Sequence, residues 1–469
     1  MNRKKRTLGQ EPQRKNVDPE TNKVYVQKLS DMVNCRTVFT PEGTYQAEFD
    51  RFYQVIEKHF PLLSRKAERL TFGSGCFVYI LRGRDAVKNI MLMSHHDVVD
   101  GSDQWKTDPF RAEVQGDFLY GRGTIDTKTP LFAELQAAEE LLAESYDFPG
   151  IDLYIGSSNN EETSGDGMVL AAEYFREKGI RFDTVLDEGG AIMSGQIPGV
   201  TAKSAMVAVH EKSRHLYRCT AGVNGSGHLG FAPAAVSPVV CLSRFIAETD
   251  SANIYKAKFY PETEATFAAH VPYMQFPMNV LFGHMRLFAP VIKKVMAKLP
   301  PAAAMLKTGI SFQSIHGMEG EDRAARAKQA EAFMMLRCIR EEDLYQGLEK
   351  IRAIGKKHGV EIVEEQRDFC RPTDFHGRPF RALEELLNEN FPDVVVAPFL
   401  LTAGTDARRL TDVADNILRF APIDLDKAQF ASVHSEDEHI RISNIGQCVR
   451  FYKDFIKKIW RENHEQDQK

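Results

Sequence analysis

The chain of 469 residues carries 65 acidic and 60 basic side chains, a formal net charge of -5, 43% hydrophobic and 27% charged residues. That length exceeds one simple core, so two domains are expected, and the mild negative charge excludes a strongly basic nucleic-acid binder. No apolar run is long enough to span a bilayer, so no membrane partner is expected.

The N-terminus, "MNRKKRTLGQEPQRKNVDPETNK", is basic but no apolar stretch follows it. It is therefore not a secretory signal and is expected to fray in solvent. Seven cysteines, Cys35, Cys76, Cys219, Cys241, Cys338, Cys370 and Cys448, are scattered and never in CxxC spacing. They read as buried reduced thiols of a reducing, cytoplasmic compartment rather than a thiolate metal site.

Ile90 to Met93 reads as a buried strand that runs into "SHHDVVD". If the strand persists, alternation puts His95 and Asp97 on one face and His96 on the other. A histidine with a carboxylate two residues on is a workable metal ligand with its orienting partner, and equally a structural histidine at a strand end. Next comes "GRGTIDTK", where Asp126 precedes a helix expected over 129–145 and could serve simply as its N-cap.

"IDLYIGSSNN" and "FDTVLDEGG" are further apolar strands ending in polar clusters. The first leads to Glu161 and Glu162, the second ends in Asp187 and Glu188. Strand, helix, strand of this kind implies an α/β layer with a mostly parallel sheet flanked by helices, its sites gathered at strand carboxyl ends. Adjacent carboxylates are usually solvated charge. Turned into a site, one could bind metal while the other works as a base. With His434 in "SVHSEDEHI", the clusters supply histidines and carboxylates without cysteine, a set suited to zinc or another divalent ion.

From about 213 to 365 the pattern changes to strand, helix, two strands, helix, strand, with Gly359 near a helix end. Residues 278–309 are apolar at helical spacing. Packing is the first reading of that stripe, a dimer contact the second and an acyl pocket the third.

The ordered motifs "SHHDVVD", "W..DPF" at Trp105 to Phe110, "GRGTIDTK", "NNEETSG", "VLDEGG", "GTDARRL" and "H...E" at His434 and Glu438 resemble the di-zinc metallohydrolases. That family includes acetylornithine deacetylase, succinyl-diaminopimelate desuccinylase, aminoacylase and carboxypeptidase G. The stretches "LDEGG", "APFLLTAGTDARRL" and "FPMNVLFGHMRLFAPVIKKVMAKLP" are most similar to its Gly-X carboxypeptidase and N-acyl-amino-acid hydrolase branch.

The resemblance implies a phosphorylase/hydrolase-like zinc exopeptidase domain in two segments, 1–212 and 367–469, with an α+β ferredoxin-like lid inserted over 213–366. It implies two divalent ions, zinc first and cobalt or manganese as alternatives. His95 and Glu162 would belong to one ion, oriented through Asp97, and Asp126 would bridge both. His434 and either Asp187 or Glu188, with the lean to Glu188, would complete the other. Glu161 would be the general base, and the Asp126–Thr127 peptide would be cis.

His228 would assist the oxyanion, Arg337 would grip a substrate carboxylate, and Asp406 and Arg408 would line the opposite wall. The implied reaction is hydrolysis of an amide next to a free carboxylate in a small peptide, as a carboxypeptidase or dipeptidase. An N-acyl-amino-acid deacylase is the alternative, and a catalytically silent binding protein the reading from another class. A homodimer through the lid is the implied assembly. The chain departs from the family in "GHLGFAPA" after His228 and in "GEDRAARAKQAEAF", where relatives carry an asparagine loop. Those departures bear on substrate identity.

Overall fold

Apolar residues with no polar alternation can form strands only if both faces are covered, and the central strands here are covered on both. In the computed structural model, which describes residues 14, 16–197, 199–222, 237–318 and 329–459, Cys76–Leu81, Lys88–Met93, Ile151–Ser157 and Phe182–Asp187 sit inside one ten-stranded mixed sheet. Lys88–Met93 pairs in parallel with both Ile151–Ser157 and Phe182–Asp187, and Phe182–Asp187 pairs in parallel with Ala414–Arg419. The carboxyl ends of these neighbours therefore lie side by side.

The helix expected over 129–145 spans Lys128–Ala143 and is buried on nearly every side, which explains an apolar surface broader than a single stripe. Its Leu131, Phe132 and Leu135 share a core with Leu153, Ile155 and Val207 of the sheet and Phe451 of the C-terminal helix Ile442–Lys458. Burying each such side chain contributes roughly 1.5–3 kcal/mol. A Phe132→Ala change would open a cavity costing about 3–5 kcal/mol.

A second, four-stranded antiparallel sheet has the order Gly309–Met318, Gln329–Cys338, Ser213–Gly222, Val360–Asp368. Helices Pro238–Ser251 and Glu341–His358 supply Leu242, Phe245, Leu344 and Ile351 to its core beside Tyr217, Met334 and Leu336. In chain order this is strand, helix, strand, strand, helix, strand, as the sequence pattern predicts. Glu341–His358 opens on three acids, ends on Lys356, Lys357 and His358, and stops at Gly359 with φ of 68°, a left-handed cap that favours glycine.

The helices between Pro261 and Ala304 interrupt that second unit and pack elsewhere. Phe267, Phe282, Ile292 and Met296 bury themselves against Met206, Val395 and Ala397 of the large sheet. Packing thus accounts for the inner side of the apolar stripe. The seven cysteines form no disulfide, and all but the half-buried Cys241 are buried.

Arg14 and residues 16–23 of the N-terminal segment depart from expectation, while residues 1–13 and 15 lie outside the described residues. Arg14 pairs with Asp393 at 2.7 Å and Asp424 at 2.6 Å, and a helix starts at Pro19, capped by Asp18. Two acceptors and a cap hold residues that net charge alone would send into solvent. Among the described residues, no helix is long and apolar enough to cross a membrane.

Candidate metal centre

Beyond Met93 the regular strand ends but its ladder continues. Ser94 N donates to Gly156 O at 3.2 Å and His96 N to Ser158 O at 2.9 Å, so the alternation of faces carries on through the polar residues. His96 turns away from the cluster, stacked on Phe52 and Phe77 at centroid separations of 5.1 and 5.2 Å, with Nδ1 2.9 Å from Ser157 Oγ. Burial, with the cations Lys128 and His95 nearby, pushes its pKa well below the usual imidazole value and keeps it neutral.

His95 faces the other way. Its Nδ1 donates to the Asp97 carbonyl at 2.9 Å and lies 3.4 Å from the Asp97 carboxylate, while Nε2 reaches Asp126 Oδ1 at 3.0 Å. The Asp97 carboxylate, fully buried, also accepts from Glu161 N at 3.1 Å and Glu162 N at 3.0 Å. One side chain therefore fixes a ring and the loop that carries both glutamates.

Asp126 does not cap the following helix, whose N-cap is Thr127. The turn before it needs Gly123, at φ of 88°, where a Cβ would come within 2.8 Å of Val98 Cγ1. The Asp126–Thr127 peptide is cis, as the resemblance implies. Asp126 Oδ2 lies 3.1 Å from His434 Nε2, and that same nitrogen lies 3.1 Å from Glu162 Oε2. Donor atoms of His95, Asp126 and Glu162 all fall within 4.8 Å of one another.

Asp187 and Glu188 part company. Both Asp187 oxygens are occupied by backbone amides, Oδ1 by Glu188 N and Oδ2 by Ala407 N, each at 2.9 Å. Burial raises its pKa to about 6. Glu188 has its pKa pushed well up, first by burial and then by Asp126 and Asp187. Burial raises Glu161 likewise, with Asp406 and Asp97 adding to it against the pull of His95. His434 is drawn up to about 10 by its hydrogen bonds to Asp126 and Glu162.

These shifts record one condition, an excess of negative charge in a buried space. A divalent cation relieves it. The donors are mixed nitrogen and oxygen, and Glu162 Oε1 is buried with no hydrogen-bond partner. An orphaned carboxylate oxygen inside such a cluster is a donor that fits a divalent cation.

Glu438 is the residue whose role the sequence reading missed, although it stands in the quoted "H...E" motif. It is fully buried. One oxygen accepts from Ile125 N at 2.7 Å and Asp126 N at 3.1 Å, the other from Arg122 Nη1 at 2.7 Å and Gly123 N at 3.1 Å. A small sheet makes this reach across the chain. His439–Arg441 pairs with Phe118–Tyr120, so His434 and Glu438 arrive beside the 121–126 turn.

The remaining candidates sit around this cluster. Asp406 is buried and accepts from Ser158 Oγ, while buried Arg408 donates to Thr405 O at 2.7 Å and lies 4.0 Å from Glu161 Oε1. Arg337, on the second sheet, donates to Thr402 O at 2.9 Å. His228 lies outside the described residues.

The model of the family described as peptidase family M20/M25/M40 matches residues 91–458. A probable carboxypeptidase S-like 2 of Dictyostelium discoideum is 26% identical over 92% of this chain and 84% of its own. A mouse (Mus musculus) N-fatty-acyl-amino acid synthase/hydrolase, PM20D1, is 25% identical over 92% of this chain and 86% of its own. Among solved structures, an M20 family metallo-carboxypeptidase from Sulfolobus solfataricus superposes with a TM-score of 0.67 at 18% identity, covering 94% of this chain and 99% of that one.

Proposed function

The chain belongs to peptidase family M20/M25/M40 and is a metal-dependent amide hydrolase; on that premise we propose that it cleaves an amide whose leaving side carries a free carboxylate, as a carboxypeptidase or dipeptidase. The observation that carries this reading is the meeting of His95, Asp126, Glu162 and His434 around a buried, unpartnered carboxylate oxygen, with Glu161 alongside.

Asp126, Glu162 and His434 would hold one ion, a grouping supported by the equal 3.1 Å reach of His434 Nε2 to both carboxylates. His95, Asp126 and Glu188 would hold the other, a choice supported by the full occupation of Asp187 by amides. This regroups the assignment that the motifs alone suggested, in which Glu162 accompanies His95. Two divalent ions, zinc in this reading, would supply Lewis-acid chemistry to the scissile carbonyl and the attacking water.

Glu161 takes the proton of that water and returns it to the leaving amine. Its raised pKa suits it to both tasks, and Asp97 holds its backbone in place. Arg408 stands near enough to Glu161 to limit its excursions. Arg337 offers a planar fork for the substrate carboxylate. The second sheet and its helices serve as a lid inserted over 213–366 between catalytic segments 1–212 and 367–469, and as the face of a homodimer. Seven cysteines outside any disulfide support a cytoplasmic location.

A second reading, hydrolysis of N-acyl amino acids, is favoured by the likeness to the mouse N-fatty-acyl-amino acid synthase/hydrolase. Both readings need the same carboxylate grip. Zinc-loaded protein is offered one dipeptide in free, N-acylated and C-amidated forms, and products are followed by mass spectrometry. Cleavage of the first two but not the amide is expected, with Arg337→Ala losing roughly 10–100-fold in kcat/KM. Equal cleavage of the amide would contradict the grip. The ratio of free to acylated rates separates the two readings.

A further inference from the structure

Helix Met285–Met296 turns one side to the core and leaves the other to solvent. Ile292 and Met296 are buried against the large sheet. On the far side Leu287, Val291 and Val295, four residues apart, are 74%, 55% and 57% exposed, and Leu299 continues the row at 52%. Just upstream, Val280 and Phe276 are 44% and 82% exposed. Six of the fourteen large exposed apolar side chains among the described residues thus fall between 276 and 299. Single exposed apolar residues are ordinary, but such a cluster needs an occupant.

Charge identifies the occupant. Asp and Glu make up 65 of 469 residues, yet none occurs between Glu264 and Glu319. The same span holds Arg286, Lys293, Lys294, Lys298 and Lys307. Lys294, seven residues after Leu287, borders the apolar row, and Arg286 and Lys293 form a second stripe farther round the helix.

We propose that this surface docks the protein on an anionic lipid bilayer. The row Leu287, Val291, Val295 and Leu299 enters the boundary of the acyl chains. The lysines and the arginine extend along their apolar stems to the phosphate level. This helix lies on the membrane and does not cross it. A second copy of the chain is the weaker occupant, because a two-fold contact sets the same acid-free, cationic surface against itself. The inference does not rest on the substrate readings above.

The test is sedimentation of the full, metal-loaded chain with phosphatidylcholine vesicles, with and without phosphatidylserine, at low and high salt. Binding is expected only with phosphatidylserine and is expected to weaken with salt. Lys293→Gln/Lys294→Gln should reduce partitioning on the order of thirtyfold, and Leu287→Asp/Val291→Asp by tenfold or more. None of the four positions belongs to the metal-facing cluster, and Leu287 and Val291 are exposed, so turnover of a soluble dipeptide and the circular dichroism spectrum should match wild type and report intact folding. No pelleting of the wild type would overturn the proposal, as would pelleting that survives in both variants. A dimer in sedimentation velocity that Leu287→Asp/Val291→Asp converts to monomer would assign the row to a second copy and overturn it equally.

Discussion

The two halves of the metal-facing cluster are built by different means. On one side, His95, Glu161 and Glu162 follow neighbouring parallel strands, and the ladder itself carries past the strand ends through Ser94 and His96. On the other, Asp126 and His434 come from loops 308 positions apart in number, and no strand of the large sheet ends there. A three-stranded ribbon and the four hydrogen bonds of Glu438 do the joining. His434 is itself half-exposed and sits at φ of 57°, left-handed backbone that is uncommon for a residue other than glycine. One half is set by the sheet, the other by a buried carboxylate.

The largest expected effect comes from Glu438→Ala. It leaves Arg122 and three backbone amides buried without their acceptor, which should cost about 3–5 kcal/mol in urea unfolding. In the surviving folded protein the His434 side should lose its ion, so metal analysis should fall from two ions to one. Asp97→Asn strikes the other half. The amide keeps one acceptor oxygen, so about 1–3 kcal/mol is lost, and metal affinity should drop roughly 10–100-fold. A larger stability loss from Asp97→Asn than from Glu438→Ala would reverse the comparison.

Chelation sharpens the same contrast without mutation. Hydrogen exchange at the His96 amide, bonded to Ser158 O, should change little. Exchange across residues 434–438 should rise clearly. The smallest effect is expected at Lys106, which pairs with Asp437 in the His434 loop but is 86% exposed. Lys106→Ala should leave the urea unfolding midpoint and turnover indistinguishable from wild type.

How much of this could be read from the sequence divides along the same line. The strands, the helix before Glu161 and the second sheet were legible because apolar periodicity is local. His95 and Asp97 were legible together because alternation on a strand is local too. The choice between Asp187 and Glu188 was not, since both follow one strand and only the amides of Glu188 and Ala407 distinguish them. Glu438 was visible in its motif but not in its role, because its partners are backbone groups in a turn more than three hundred residues earlier. The packing of helices Pro261–His270 and Met285–Met296 on the large sheet was hidden for a similar reason. Their partners Met206 and Val395 lie on strands outside the unit that they interrupt.

The most direct test of the catalytic account is Glu161→Gln, examined by zinc titration in a calorimeter beside turnover of the preferred dipeptide. The account predicts two ions bound as in the wild type and turnover reduced by about 10²–10⁴-fold. Wild-type turnover in that variant would remove Glu161 as the base, and loss of an ion would make it a ligand instead.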